Sequence, residues 1–215
     1  MKVKLVSITK PLIEGLSSTE DIVAYCARVS NPSNQMNVET APKLIRYLIK
    51  NKHWSPFEMV SLCFEIETSR AIAAQILRHR SFSFQEFSQR YAEATTLESF
   101  ELRKQGKTNR QVGDEVFEPD TNTKIRIEAA QEMCLELYND LIKDGIAKEC
   151  ARMVLPLNTQ TRIYMNGTLR SWIHYLELRT HQHTQKEHRE IALAIQEIVF
   201  EHFPNIKEAL QEINP

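Results

Sequence analysis

The sequence predicts an α+β fold, one domain in which a small sheet packs against helices. Three observations carry that prediction. One stretch, 60–67, alternates apolar and polar residues without a break. Several longer stretches repeat apolar residues at helical spacing, 125–142 most clearly. Strand-like and helix-like stretches are mixed along the chain, with no repeat, low-complexity run or linker to divide it. The 215 residues, 42% hydrophobic and 26% charged, suffice for one domain, 1–215, with a real core.

Residues 2–8, KVKLVSI, alternate and read as a strand. Residues 19–28 read as a helix, with Ser18 or Thr19 as its N-cap. Residues 39–50 read as a helix with Leu44, Ile45, Leu48 and Ile49 on one face and Pro42 in the first turn. HWSPF at 53–57 reads as a turn or loop. In the next run Val60, Leu62, Phe64 and Ile66 point one way, and Ser61, Cys63, Glu65 and Glu67 the other, as in a half-buried strand. Residues 70–79 read as a helix with Ile72 and Ile76 inward. The polar stretch 100–123, with Gly106, Gly113 and Pro119, reads as a flexible loop or small excursion. Residues 125–142 read as a long amphipathic helix carrying Ala130, Met133, Cys134, Leu137 and Leu141 on one face. A short helix at 146–153, a strand at 158–165 and helices at 169–178 and 187–203 complete the reading.

Charge narrows the function. With 27 basic and 28 acidic residues the chain is nearly neutral, which argues against a binder of nucleic-acid polymers or membrane surfaces. No apolar run approaches the about 18 residues of a membrane span. The first residues, MKVKLVSITKPLIEG, lack a signal peptide's apolar core and cleavage site, so a cytoplasmic location is expected. Cysteines at 26, 63, 134 and 150 form no C-x-x-C pair and are read as free, mostly buried thiols, with disulfides the alternative.

Against that neutral background, Arg78 to Tyr91 reads RHRSFSFQEFSQRY. Gln75, Arg78 and His79 share a polar helix face, and Arg80, Glu86, Ser88, Gln89 and Arg90 follow. Arginine forks bind phosphate oxygens in pairs, and Glu86 can accept from a ribose hydroxyl or a ring N–H. The inventory suits a nucleotide. It equally suits a solvated helix end ion-paired to Glu86 and Glu93, and composition leaves both open. Arg152, Arg162, Arg170 and Arg179 form a second group, for which solvent exposure is again the alternative. Arg152 lies in an apolar run, ARMVLPL, where a buried guanidinium needs an anion. His181, His183 and His188 lack the companions of a metal site, so no metal is expected. Phe82, Phe84 and Phe87 are read as core rather than as base-stacking rings. There is no glycine-rich phosphate loop, and no cysteine has an evident activating base.

Arg78-His79-Arg80, seven further residues and then Ser88 form a signature that resembles the flavin-dependent thymidylate synthases. ARVS (27–30), HWSPFE (53–58), ARMVLPLNTQTR (151–162), TLRSWIHYLELR (168–179) and HTQKEHREI (183–191) are similar to family segments in family order, spanning 27–191. The resemblance implies methylation of dUMP to dTMP, with carbon from methylenetetrahydrofolate and electrons from NADPH through bound FAD. It implies a mostly antiparallel central sheet flanked by helices, in a homotetramer whose subunits share each active site. For FAD it implies Ser30, Ser55, Arg78, His79, Arg80, Glu86, Thr168, Leu169, Arg170 and His174. For dUMP it implies Gln75, Ile76, Leu77, Arg78, Glu86, Phe87, Ser88, Gln89, Arg90, Arg152 and Arg179. Arg179 would be catalytic, stabilising negative charge on the uracil so that no cysteine nucleophile is required. His53 and Tyr91 would lie toward folate. Thr168 stands where many relatives carry Asn, and Met59 where many carry His. The competing reading is a nucleotide- or single-stranded RNA-binding module without catalysis, which predicts no flavin and strongly salt-dependent binding.

Overall fold

The computed structural model describes residues 2–94 and 96–213, with only the backbone described at Ile213. Met1, Thr95, Asn214 and Pro215, which the one-domain reading includes, lie outside the described residues. Four strands form the main sheet: β1 (Lys2–Ile8), β2 (Ser61–Ser69), β3 (Ser83–Glu86) and β6 (Gln160–Thr168), in the order β1-β2-β6-β3 and antiparallel at every pairing. The predicted α+β class therefore holds. The central β2–β6 ladder runs in unbroken register from Ser61 opposite Thr168 to Ser69 opposite Gln160.

The period-two pattern decides where the core lies. Leu62, Phe64 and Ile66 of β2 and Ile163 and Met165 of β6 are wholly buried on one face. On the other face cross-strand neighbours pair by charge and hydrogen bond, Arg162 with Glu67 at 2.7 Å and the Tyr164 hydroxyl with Glu65 at 2.6 Å. The β6 strand continues past its predicted end because Gly167 lets the Phe82 ring lie on the sheet; a Cβ there would sit 2.4 Å from that ring.

Helices cover the apolar face: α1 (Thr19–Ala27), α2 (Ala41–Lys50), α3 (Arg70–Ile76), α6 (Leu169–Arg179), α7 (Lys186–His202) and α8 (Pro204–Ile213). The first opens on a capping box, in which Ser18 accepts from the Asp21 N–H and Asp21 accepts from that of Ser18. Trp172 of α6 stands edge-on to Phe64 and Phe82, with ring centres 4.9 and 4.7 Å away, and its indole N–H donates to the Leu62 carbonyl. The unpredicted α8 begins at Pro204 and is capped from far away. Buried Glu20 accepts from the Ile206 N–H at 3.0 Å and from Asn205 at 2.5 Å.

Two expectations gain detail and two change. The turn or loop expected at 53–57 is in part a 3-10 turn, Ser55–Met59. Of the flexible loop or small excursion expected over 100–123 the structure shows the latter, a hairpin of β4 (Arg103–Gln105) with β5 (Gly113–Val116). The long helix α4 (Thr121–Lys143) starts earlier, where Asp120 accepts from the Thr123 N–H, and its expected apolar face is not buried by this chain. Met133 is 66% exposed and Leu137 47%, while Tyr138 is fully buried. The thiols are free, as read, but none is fully buried and Cys150 is exposed. The short α5 (Lys148–Ala151) follows and runs into a 3-10 turn, Arg152–Val154.

Candidate active site

Helix α3 ends earlier than predicted because Phe82 draws the chain back onto α6, between Trp172 and Tyr175. Residues 77–82 turn tightly, with the His79 N–H on the Ile76 carbonyl and the Phe82 N–H on that of His79. Arg78 and Arg80 are left exposed on either side of a half-buried His79. Among the described residues neither guanidinium has an ion-pair partner. The helix-end reading required such pairs, and Glu86 and Glu93 instead pair with Arg70 and Lys148.

His79 meets Arg179, the last residue of α6. Its Nε2 accepts from the Arg179 Nε–H at 2.9 Å, and its ring stands edge-on to Tyr175 at 4.9 Å. Burial first, and the Arg179 charge second, push the His79 pKa down to about 4. The imidazole is therefore neutral near pH 7 and keeps the lone pair that the arginine needs. The arginine is anchored through Nε, and among the described residues its two terminal nitrogens have no hydrogen-bond partner.

Beside this pair, His188 of α7 is fully buried and shares a 3.1 Å hydrogen bond with the Tyr175 hydroxyl. Its pKa is lowered to about 3, by burial, then by Arg179 and His79. Both histidines take up protons in the unfolded chain near pH 6.5 but in the fold only near 4 and 3. Stability is thus present above about pH 6.5 and lost as pH falls through that window, because the unfolded state then binds more protons. A melting series should show the midpoint dropping between pH 6.5 and 4, with a shallower slope in His188→Asn. An equal slope in that variant would exclude His188 as a source of the acid lability.

A second network holds the segment after β3. Arg70, the first residue of α3, donates to Glu86 through one terminal nitrogen and to the Gln89 Oε1 through the other at 2.8 Å. Thr161 of β6 also donates to Glu86, at 2.9 Å. Glu86 is thus engaged within its own chain. Ser88 and Arg90 are exposed on the turn that this clamp fixes, and the Tyr91 and Ala92 N–H groups both donate to the Ser88 carbonyl. Phe82 is buried, as the core reading holds, whereas Phe87 is 37% exposed.

A third cluster lies where the Ser55–Met59 turn meets α6. His53, Trp54, Ser55 and Arg170 line an open groove of about 540 Å³ with Lys52. Arg170 is ion-paired to Glu58, Thr168 caps α6 by accepting from the Ser171 N–H, and His174 stands edge-on to Trp54 at 4.9 Å. Ser30 is exposed just beyond α1, close in sequence to buried Arg28, which donates to Thr40 at 2.8 Å.

Two candidate positions, Ile76 and Leu169, face the core, Ile76 as its inward place on the helix predicted. Ile76 and Leu169 have wholly buried side chains, and the Leu169 N–H is taken by the Val60 carbonyl, so only other backbone atoms remain for a ligand. Leu77 is 37% exposed. Arg152 is half-buried, so it is not simply solvated, although its run lies along the surface with Met153 79% and Leu157 73% exposed; its Nε–H donates to the Glu149 carbonyl. Arg90 lies 3.6 Å from the Glu149 carboxylate. Among the described residues no group of three or more His, Cys, Asp or Glu is placed to hold a metal ion.

A family model described as "Thymidylate synthase complementing protein" matches residues 11–205. The chain is 51% identical over 213 residues to a probable flavin-dependent thymidylate synthase of Paramecium bursaria Chlorella virus 1, covering 98% of this chain and 99% of that protein. It is 53% identical over 218 residues to a flavin-dependent thymidylate synthase of Synechocystis sp., covering 98% and 100%. Among solved structures it is similar to a UMP/dUMP methylase, PolB from Streptomyces cacaoi bound with 5-Br dUMP. That match has a TM-score of 0.82 and 29% identity, and covers 98% of this chain and 94% of that one.

Proposed function

We infer the reaction from the family to which this chain belongs, the flavin-dependent thymidylate synthases: it is an enzyme that methylates dUMP to dTMP with FAD as cofactor. Methylenetetrahydrofolate supplies the carbon, and NADPH reduces the flavin. The observation that carries the site assignment is the Arg179–His79 pair, a guanidinium anchored on one side by a neutral imidazole. Its terminal nitrogens donate to the uracil ring, where they stabilise the charge that makes C5 nucleophilic. Ser88 binds and polarises; among the described residues no base within hydrogen-bond reach would make it a nucleophile.

Arg78 and Arg80, exposed and without an ion-pair partner among the described residues, fit a cofactor that carries a diphosphate. FAD supplies the redox chemistry, and these side chains, with Ser55, Arg170, His174, Thr168 and Ser30, bind and orient it. Gln75, Arg78, the 86–90 turn and Arg152 bind dUMP. The protein works as a homotetramer in the cytoplasm. Support for assembly comes from α4, whose exposed Ile125, Met133 and Leu137 need a covering partner. Among the described residues no helix is long and apolar enough to cross a membrane.

The test is an absorbance spectrum of the purified protein, followed by oxidation of the reduced flavin on addition of dUMP and folate. A protein that takes up no FAD, or a reduced flavin indifferent to dUMP, would sink the reading. Within it, Arg80→Ala is expected to weaken FAD binding about tenfold, the loss of one charge-assisted contact. An unchanged flavin dissociation constant would remove Arg80 from the cofactor site.

A further inference from the structure

Behind Gln75 runs a chain of polar side chains whose sense is set at its far end. Glu187, near the start of α7, receives the Arg103 guanidinium on Oε1 at 2.6 Å and the Gln185 amide nitrogen on Oε2 at 2.9 Å. Burial alone would raise the Glu187 pKa, but the bonds from Arg103, its own backbone and Gln185 outweigh it and the net shift is downward. An ionised carboxylate only accepts hydrogen bonds. Gln185 must therefore turn its nitrogen toward Glu187 and its carbonyl toward Gln75. Gln75 in turn donates its Nε2–H to that carbonyl, at 2.7 Å. Its own carbonyl is left facing His188 Nδ1 at 3.4 Å, so the imidazole proton sits on Nδ1. The lone pair on Nε2 then accepts from the Tyr175 hydroxyl at 3.1 Å. The neutrality of buried His188 fits that single tautomer.

An amide side chain has nearly the same shape in either orientation, so shape alone cannot decide whether Gln75 offers an N–H or a carbonyl to a ligand. We propose that Glu187 is a positioning residue that fixes this choice: through Gln185 it makes Gln75 present its second Nε2–H to an acceptor oxygen of the pyrimidine nucleotide. The inference rests on the reading of Gln75 as a dUMP contact and adds the sense of that contact. It also ties the β4–β5 hairpin, in the stretch that no sequence pattern explained, to the active site, since Arg103 belongs to β4 and holds Glu187.

The experiment compares two substitutions in the FAD-loaded enzyme at pH 8, reading KM for dUMP, kcat, flavin content and melting midpoint. Glu187→Gln keeps the shape but can donate or accept, so the sense of the chain is released. Arg103→Met removes the same ion pair and loosens the hairpin, yet leaves an acceptor-only carboxylate in place. The expected result is a KM for dUMP raised about tenfold in Glu187→Gln, equivalent to about 1.4 kcal/mol, with kcat changed much less. Arg103→Met should stay within about twofold of the parent KM even if it melts earlier. Equal increases in both would mean that hairpin docking matters and polarity does not, and any pattern without a selective rise in Glu187→Gln overturns the proposal. Should Glu187→Gln lose its flavin or its fold, Gln75→Glu decides, because an acceptor-only side chain there must weaken dUMP binding. A Gln75→Glu enzyme with the parent KM overturns the proposal equally. A parent enzyme whose reduced flavin ignores dUMP would sink the functional reading instead, so the two failures are distinguishable.

Discussion

Arg179→Ala is expected to cut thymidylate formation by about three orders of magnitude, roughly 4 kcal/mol of transition-state stabilisation, while FAD stays bound. The geometry explains why the loss should be so large. The guanidinium closes α6, where a cation is favoured by the helix dipole, and its Nε is held by His79. The fork is thus oriented before any substrate arrives, and little reorganisation accompanies the reaction. Arg179→Lys keeps the charge but cannot both bond His79 and present two parallel N–H groups. It should recover only a small part of the lost rate. Both variants also lift a charge effect or move it, and in the alanine variant the His79 pKa should rise because the Arg179 charge helps to lower it. Stopped-flow oxidation of the reduced flavin by dUMP and folate separates the chemical step from cofactor binding. Near-normal rates in Arg179→Ala would remove this residue from the catalytic role.

Local order was legible wherever the period of the chain was local. The β2 alternation was read residue by residue, because its polar and apolar faces differ along one short strand. Helix α6 was equally visible. What escaped depends on distant partners. The start of α8 is stabilised by Glu20, and no residue near Pro204 announces that cap. Strand β3, Ser83 to Glu86, is too short for its alternation to stand out and exists because it finds β6. The α4 spacing was read correctly as amphipathic, but spacing cannot say whether its apolar face meets this chain or another. The site divides the same way. The Arg78-His79-Arg80 run is contiguous and visible, whereas Arg70 stood alone in sequence and its partners lie across the sheet edge. One signal was available. A cation in the first turn of a helix opposes the macrodipole, so Arg70 at that position needed a carboxylate nearby.

That carboxylate makes Arg70 the second site of large effect. Arg70→Met keeps the aliphatic stem and removes the fork. Among the described residues Glu86, whose side chain is 22% exposed, then retains only Thr161, and Gln89, 6% exposed, loses its partner at Oε1. Breaking one side of a half-buried ion pair leaves the other side desolvated, which costs more than the pair itself contributes. The expected destabilisation is about 3 kcal/mol, a fall of roughly 6–12 °C in melting midpoint for a chain of this size. Adding Glu86→Gln to Arg70→Met removes the stranded charge, and the double variant should regain part of that loss. Binding should not follow stability. The turn carrying Ser88 and Arg90 is held by Arg70 through both Glu86 and Gln89, so dUMP affinity should stay weak in the single and the double variant alike. Calorimetric melts beside dUMP titrations of the flavin spectrum measure the two quantities independently. If affinity returned with stability, Arg70 would be a fold residue alone; if neither changed in Arg70→Met, the clamp would carry no weight in either role.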